Sequence, residues 1–231
     1  MRLLTWNLCR GSLDLKGDAV ASIGFDVAVL PEIAKPRELT DRVLWFGQNP
    51  RQGMAVLSSE HYTLRELPRS DEIPQFVVPI EVRGPRNFTL LAVWTLHHKQ
   101  FRYVRAASIA IDYYSRLFDT GPVVMLGDFN ANKIWDSHHP KDLNFSSMAA
   151  RLHRRGLVSA YHHNRAQEFG SESDPTFYLQ WNESKPYHID YCFLPNTWAS
   201  DIVDVHVGAF EKWRTISDHR PLLVELRRTE V

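Results

Sequence analysis

Short apolar runs dominate the chain, and most end in a polar or turn-forming residue. Arg2 to Leu8, Asp26 to Leu30, Gly53 to Ser58, Tyr62 to Leu67, Phe76 to Val82 and Phe88 to Leu96 have strand length and strand composition. Pro68, Gly84 and Pro85 punctuate them, and connections this short favour antiparallel neighbours. Val123 to Leu126 is apolar without interruption, the pattern of a strand buried on both faces. Further strands are expected at Leu157 to Tyr161, Thr176 to Leu179, Tyr187 to Leu194, Asp201 to Val207 and Leu222 to Leu226. The clearest helix runs from Phe101 to Phe118, where Val104, Ala107, Ile111, Tyr114 and Phe118 form one apolar stripe. A second is capped by Asn144 and stops at Arg155 and Gly156, and a short one covers Asp18 to Ile23. Lys133 to Asp142 reads as an irregular surface loop.

Polar residues close several of these strands. Asn7 ends the first, Glu32 follows the second, and Asp128 closes Val123 to Leu126. A carboxylate at the end of a buried strand is costly unless it is paired, hydrogen-bonded or solvated at an opening. Asp128 and Asn130 lie two apart, so in extended backbone they face the same way. Each has a bland reading: Asn7 as a turn former, Glu32 as a solvated loop residue, Gly127 to Asn130 as an Asx turn. Three such ends together point to a convergent polar rim, where α/β folds place ligand sites. His97 ends another strand and is either surface polarity or an anion donor; the same choice holds for His98. Asp190 falls inside an expected strand, so it requires a His or Arg partner. Trp135 either stacks on a base or sugar or pins its loop.

The totals narrow the class. With 231 residues and no Gly/Ser- or Pro-rich linker, one domain over residues 1–231 is expected. Lys and Arg number 27, as do Asp and Glu, which argues against a strongly basic, non-specific nucleic-acid binder but leaves room for a local basic cleft. Cys9 and Cys192 both fall in expected strands and are read as buried free thiols. No leader pattern and no apolar run of membrane-spanning length stands out, so a cytoplasmic protein with no membrane partner is expected.

Trp6-Asn7, Pro31-Glu32, Gly127-Asp128-Phe129-Asn130, Ile189-Asp190-Tyr191 and Ser217-Asp218-His219, in that order, resemble the endonuclease/exonuclease/phosphatase family. The resemblance spans residues 6 to 219, and its two most specific parts are the Gly-Asp-Phe-Asn and Ser-Asp-His stretches. It implies an α/β (α+β) fold, the DNase I-like four-layer sandwich of two packed, mostly antiparallel sheets flanked by helices. It also implies a metal site at Glu32, Asn7 and Asp218 for Mg²⁺, with Mn²⁺ as a substitute. Asp128 would orient or deprotonate the attacking water, Asn130 would position it, and His219 would contact the scissile phosphate. Asp190 would fix the His219 tautomer. His97 matches a second phosphate-contacting histidine, though Trp94 to His98 departs from the family's usual stretch there, and Tyr103 matches an active-site tyrosine.

The expected activity is Mg²⁺-dependent cleavage of phosphodiester bonds by a monomeric nuclease acting on DNA. Two alternatives stay open. One is a phosphatase or phosphodiesterase for a small molecule or lipid headgroup. The other is a non-catalytic binding module, disfavoured because Glu32, Asp128, Asn130, Asp190 and His219 are all present.

Overall fold

The computed structural model describes residues 1–70, 73–97 and 102–227. Its strands are β1 (Arg2–Thr5), β2 (Val27–Ile33), β3 (Val43–Asn49), β4 (Gln52–Ser58), β5 (Thr63–Glu66), β6 (Val77–Arg83), β7 (Phe88–Trp94), β8 (Val123–Asp128), β9 (Leu157–Ser159), β10 (Phe177–Tyr178), β11 (Pro186–Tyr187), β12 (Asp190–Pro195), β13 (Ile202–Val207) and β14 (Leu222–Leu226). Its helices are α1 (Leu13–Ile23), α2 (Val104–Tyr113), α3 (Ser115–Thr120), α4 (Phe145–Arg154), α5 (Ala160–Arg165) and α6 (Phe210–Trp213).

Two six-stranded sheets form, one in the order β13-β14-β1-β2-β4-β3 and the other in the order β5-β6-β7-β8-β12-β9. In the first, β1 runs parallel to β2, and in the second β7 runs parallel to β8. The remaining neighbours within the two sheets are antiparallel. Side chains alternate across each strand. Leu3, Val29, Val56 and Val224 of the first sheet therefore meet Ile80, Leu90, Val124 and Leu194 of the second in one core. On the far side of the first sheet, Leu4, Ala28 and Leu30 pack under Val20 of α1 and Trp213 of α6. On the far side of the second, Leu91, Met125 and Phe193 pack under Ala107 and Ile111 of α2 and Met148 and Leu152 of α4. The molecule is thus the expected helix–sheet–sheet–helix sandwich. The unbroken run in β8 follows directly, because Val123 and Met125 face the helices while Val124 and Leu126 face the other sheet.

Several element boundaries differ from the pattern-based reading. The strand β3 was not expected; it lies at a sheet edge, half-exposed, with no clean alternation. The expected helix from Phe101 to Phe118 is two helices. Tyr103 takes a φ of 41°, so the first helix begins only at Val104, and it is closed at Tyr114. Phe101 and His98 lie outside the described residues. The expected strand from Leu157 to Tyr161 stops at Ser159 and turns into α5, and α1 begins five residues earlier than expected, at Leu13 rather than Asp18. Cys9 sits in the turn after β1 and not in a strand, whereas Cys192 is buried in β12 as expected. Asn144 caps α4 as read, accepting a hydrogen bond from Ser147 N at its side-chain oxygen.

Candidate active site

Topology gathers the polar strand ends. Pairing of Thr5 with Leu222 brings the chain after β1 beside the chain before β14. Pairing of Asp128 with Asp190 sets the end of β8 against the start of β12. Each sheet also has a parallel pair, so the carboxyl ends of β1 and β2, and of β7 and β8, fall at one edge. Asn7, Glu32, Asp128, Asp190 and His219 come from those ends. Asp190 therefore opens β12; the expectation that it lies inside a strand is corrected, because the run Tyr187 to Leu194 is interrupted at His188 and Ile189. At that interruption Thr176 Oγ1 accepts from the amides of Ile189 (3.0 Å) and Asp190 (3.1 Å).

A side-chain hydrogen-bond network links the two sheets. Asn7 Nδ2 donates to Glu32 Oε1 at 3.1 Å and to Asp128 Oδ2 at 2.9 Å. Asn130 donates from its backbone amide to Asp128 Oδ1 and from Nδ2 to Asp128 Oδ2, both at 2.9 Å. Gln52 Nε2 donates to Glu32 Oε2 at 3.2 Å. His219 Nδ1 meets Asp190 Oδ2 at 2.9 Å. Ser217 Oγ donates to Asn7 O at 2.7 Å and accepts from His219 N at 3.0 Å, while Trp6 Nε1 donates to His219 O at 3.0 Å. The fully buried Arg220 clamps the same turn through the carbonyls of Ser217 and His219, at 2.8 and 2.7 Å.

Two residues in this network hold unfavourable backbone. Glu32 has a φ of 59° at the irregularity in β2, and Asn130 a φ of 46°. Left-handed conformations in non-glycine residues cost about 1–3 kcal/mol and concentrate at functional sites. The one glycine the site demands is Gly127, with a φ of 149°; a Cβ there would collide with the Val93 carbonyl oxygen.

Electrostatics separate the roles of these groups. Asp128 and Asp190 are fully buried, and His219 is 4% exposed. Burial, and then the charge of Asp190, pushes the Asp128 carboxyl up to about 7. Burial opposes charge on His219, but the Asp190 carboxylate outweighs it, with Asp128 and Asp218 adding, and the ring rises to about 9. Near neutral pH the pocket therefore pairs an imidazolium with a carboxyl close to its titration point.

Among the described residues, oxygens of Asp128 and Asp190 and a ring nitrogen of His219 lie within 4.8 Å of one another. That cluster has the spacing of a metal site, and an ion there would have to displace the proton that Asp190 favours on the ring. The alternative donor set is Glu32, Asn7 and Asp218. These are hard oxygen donors, as Mg²⁺ requires. Glu32 already has both its oxygens directed by amides, and Asp190 Oδ1 is buried with no partner among the described residues. The pocket therefore fits a hard divalent cation. In this structure Asn7 turns its amide nitrogen to the carboxylates and its oxygen to Cys9 N, so ligation by Asn7 requires its amide to rotate.

The other expected site residues lie around this core. Asp218 is half-buried in the turn before His219, and burial together with the Asp218 and Glu32 carboxylates pushes the neighbouring Cys9 thiol up to about 12. His97 is exposed on the chain leaving β7; its ring stands 5.6 Å from that of Tyr103, and it forms a bridge with Arg102. His97 and Tyr103 are thus brought together, while the contacts of the described residues join neither to Asp128, Asp190 or His219. Thr176, Ser217, Gln52 and Arg220 were not assigned roles from sequence. Ser217 and Arg220 had a signal in their places beside Asp218 and His219; the other two had none. An aromatic wall also adjoins the pocket. Phe177 lies 4.6 Å from the His219 ring and 6.3 Å from Tyr187, and Tyr187 lies 5.1 Å from Trp135.

Residues 4–219 match the sequence model of the Endonuclease/Exonuclease/phosphatase family. No curated protein sequence matches the chain. Among solved structures, the chain is similar to a 3'-5' exonuclease (NExo) from Neisseria meningitidis, with 18% identity, a TM-score of 0.67, and coverage of 98% of this chain and 99% of that one. It is equally similar to a singly substituted form of the 3' phosphatase NExo from Neisseria bound to product DNA hairpin, at 19% identity and TM-score 0.67, covering 98% and 99%. An AP endonuclease from Archaeoglobus fulgidus aligns at 15% identity and TM-score 0.65, again over 98% and 99%. At these identities the likeness establishes the fold.

Proposed function

The chain belongs to the endonuclease/exonuclease/phosphatase family of metal-dependent phosphoesterases, and from that premise we propose that it is a Mg²⁺-dependent nuclease that hydrolyses phosphodiester bonds in DNA. One observation carries the reading: Asp128, Asp190 and His219, drawn from both sheets, converge on a single buried cluster at the shared strand-end edge. The structures it resembles include one bound to a product DNA hairpin, and the aromatic wall beside His219 offers rings on which bases stack.

In this reading Glu32, Asn7 and Asp218 hold the cation. When bound, it supplies positive charge to the phosphoryl oxygens. Asp128 accepts the proton of the attacking water, since a carboxyl poised near 7 is matched to general-base work at neutral pH. Asn130 fixes its two oxygens in place. His219 remains charged and donates to the phosphate through Nε2, because Asp190 engages Nδ1. His97 and Tyr103, whose rings stand together, would contact the substrate outside this cluster.

The balance of 27 basic and 27 acidic residues favours one second reading, a phosphatase for a small anionic ester. A panel of plasmid DNA, abasic-site duplex, RNA and inositol phosphates, each with Mg²⁺, Mn²⁺ or EDTA, decides between them. Cation-dependent DNA cleavage that EDTA abolishes is expected. Hydrolysis of the small esters with no nucleic-acid cleavage would install the second reading in its place.

A further inference from the structure

Lys16 stands apart from the residues assigned above. It lies in the first turns of α1, half-buried, and its ammonium donates to Leu8 O and, at 2.6 Å, to Ile216 O. Leu8 follows Asn7 directly, and Ile216 precedes Asp218 by two. One side chain thus fastens two segments whose contacts to it span 8 and 200 residues of sequence. The stem reaches its partners by crossing Gly11. A Cβ at Gly11 would stand 2.9 Å from Lys16 Cε, and the glycine's φ of 99° turns the chain back toward α1. The charge environment agrees with the geometry: burial disfavours the ammonium, while Cys9, Asp218 and Glu32 favour it.

We infer that Lys16 is a positioning residue for the cation-holding end of the pocket, tying the turn that carries Asn7 to the turn that carries Asp218 and so setting how tightly the site takes a divalent cation. This rests on the metal reading of the same site. Groups that orient metal ligands without touching the ion change affinity by about 10–100-fold when removed. Lys16 has that relation to both turns, since it touches the backbone next to the donors. The tie made by Ser217 Oγ to Asn7 O joins the same turns directly and does not involve Lys16.

The test is Mn²⁺ binding by calorimetry to the wild-type protein, Lys16→Met and Lys16→Arg, with amide hydrogen exchange on the metal-free proteins. Lys16→Met should bind Mn²⁺ about 10–100-fold more weakly and exchange faster at Ser217 to His219. Lys16→Arg, which keeps a cationic donor, should recover most of the affinity. In turnover, Lys16→Met should raise the half-activating Mn²⁺ concentration by about the same 10–100-fold. Should Lys16→Met fail to fold, Lys16→Gln carries the same comparison, with an expected loss of about tenfold. Wild-type binding matched by an equally tight, folded Lys16→Met or Lys16→Gln overturns the role of Lys16 alone. A wild-type protein that binds no Mn²⁺ overturns the metal reading, and the role with it.

Discussion

Replacing Asp190 by Asn isolates the interaction on which the charge of the pocket depends. The substitution keeps the shape of the side chain and removes its charge. The His219 ring, 4% exposed, then keeps its burial and loses the carboxylate 2.9 Å from Nδ1. In the wild-type protein the ring is raised from 6.5 to about 9 despite burial. At about 1.4 kcal/mol per pH unit, that corresponds to about 3 kcal/mol of preference for the charged ring. With Asp190→Asn the ring should titrate near or below 6.5, since burial then acts against only the more distant Asp128 and Asp218. Imidazole NMR on metal-free protein from pH 5 to pH 10 measures this, with His219→Gln identifying the signal among 11 histidines. Stability supplies a second readout. A ring raised in the folded state contributes stability that is fully present below 6.5 and is lost as pH rises through about 9. Asp190→Asn should therefore destabilise most near pH 6 and least near pH 10. Relief of the Asp128 carboxylate from its neighbour's charge narrows the gap further above about 7. A wild-type His219 that titrates near 6.5, or an Asp190→Asn ring that still titrates near 9, refutes the reasoning.

Other substitutions test neighbouring links. Asp128→Ala should lower turnover by about 10²–10⁴-fold with near-UV circular dichroism retained; near-normal Mg²⁺-dependent turnover removes Asp128 from the chemistry. Gly127→Ala should cost more than about 3 kcal/mol in urea denaturation, because a left-handed φ and a collision with the Val93 carbonyl act together. A loss below about 1 kcal/mol is incompatible with that close approach. Tyr187→Ala should weaken single-stranded DNA binding by about 1–3 kcal/mol if a base stacks on the aromatic wall; unchanged binding by fluorescence anisotropy assigns the wall to packing alone.

The sequence exposed those parts of the fold whose burial is periodic. The four apolar residues of β8 were readable because both faces of that strand are covered. The Val104–Ala107–Ile111–Tyr114 stripe survives the helix break at Tyr114. By contrast, β3 runs along a sheet edge with Trp45 and Gly47 in it, and its mixed burial leaves no alternation to detect. Leu157 to Tyr161 looks like one strand throughout, yet the chain turns helical at Ala160, a choice set by packing of Tyr161 against the core and not by local preference. The site divides the same way. Residues at strand ends were readable because a polar group closing an apolar run is conspicuous. Residues that brace the site were not. Thr176 acts through two backbone amides, Arg220 through two carbonyls, and Lys16 through a carbonyl 200 residues away. Such bonds leave no periodic trace, since any backbone carbonyl serves equally well as the acceptor.

On the proposed reading, the charge count of the pocket gives a reason for a cation to take part in the chemistry. Glu32, Asp128, Asp190 and Asp218 are four carboxylates, and the cations set among them are His219 and Lys16. With all four ionised, two negative charges remain. A phosphodiester brings another, and in a buried pocket like charges repel more strongly than in water. Left to its own side chains, the pocket would repel the phosphodiester proposed for it. Protonating the carboxylates would relieve the repulsion, but it would also neutralise Asp128, which must be ionised to take a proton. A divalent cation held by Glu32 would remove the excess and leave Asp128 ionised. The imidazolium is charged independently of it, since Asp190 engages the ring through Nδ1. The built-in imidazolium would then act on the phosphoryl group alongside the bound cation.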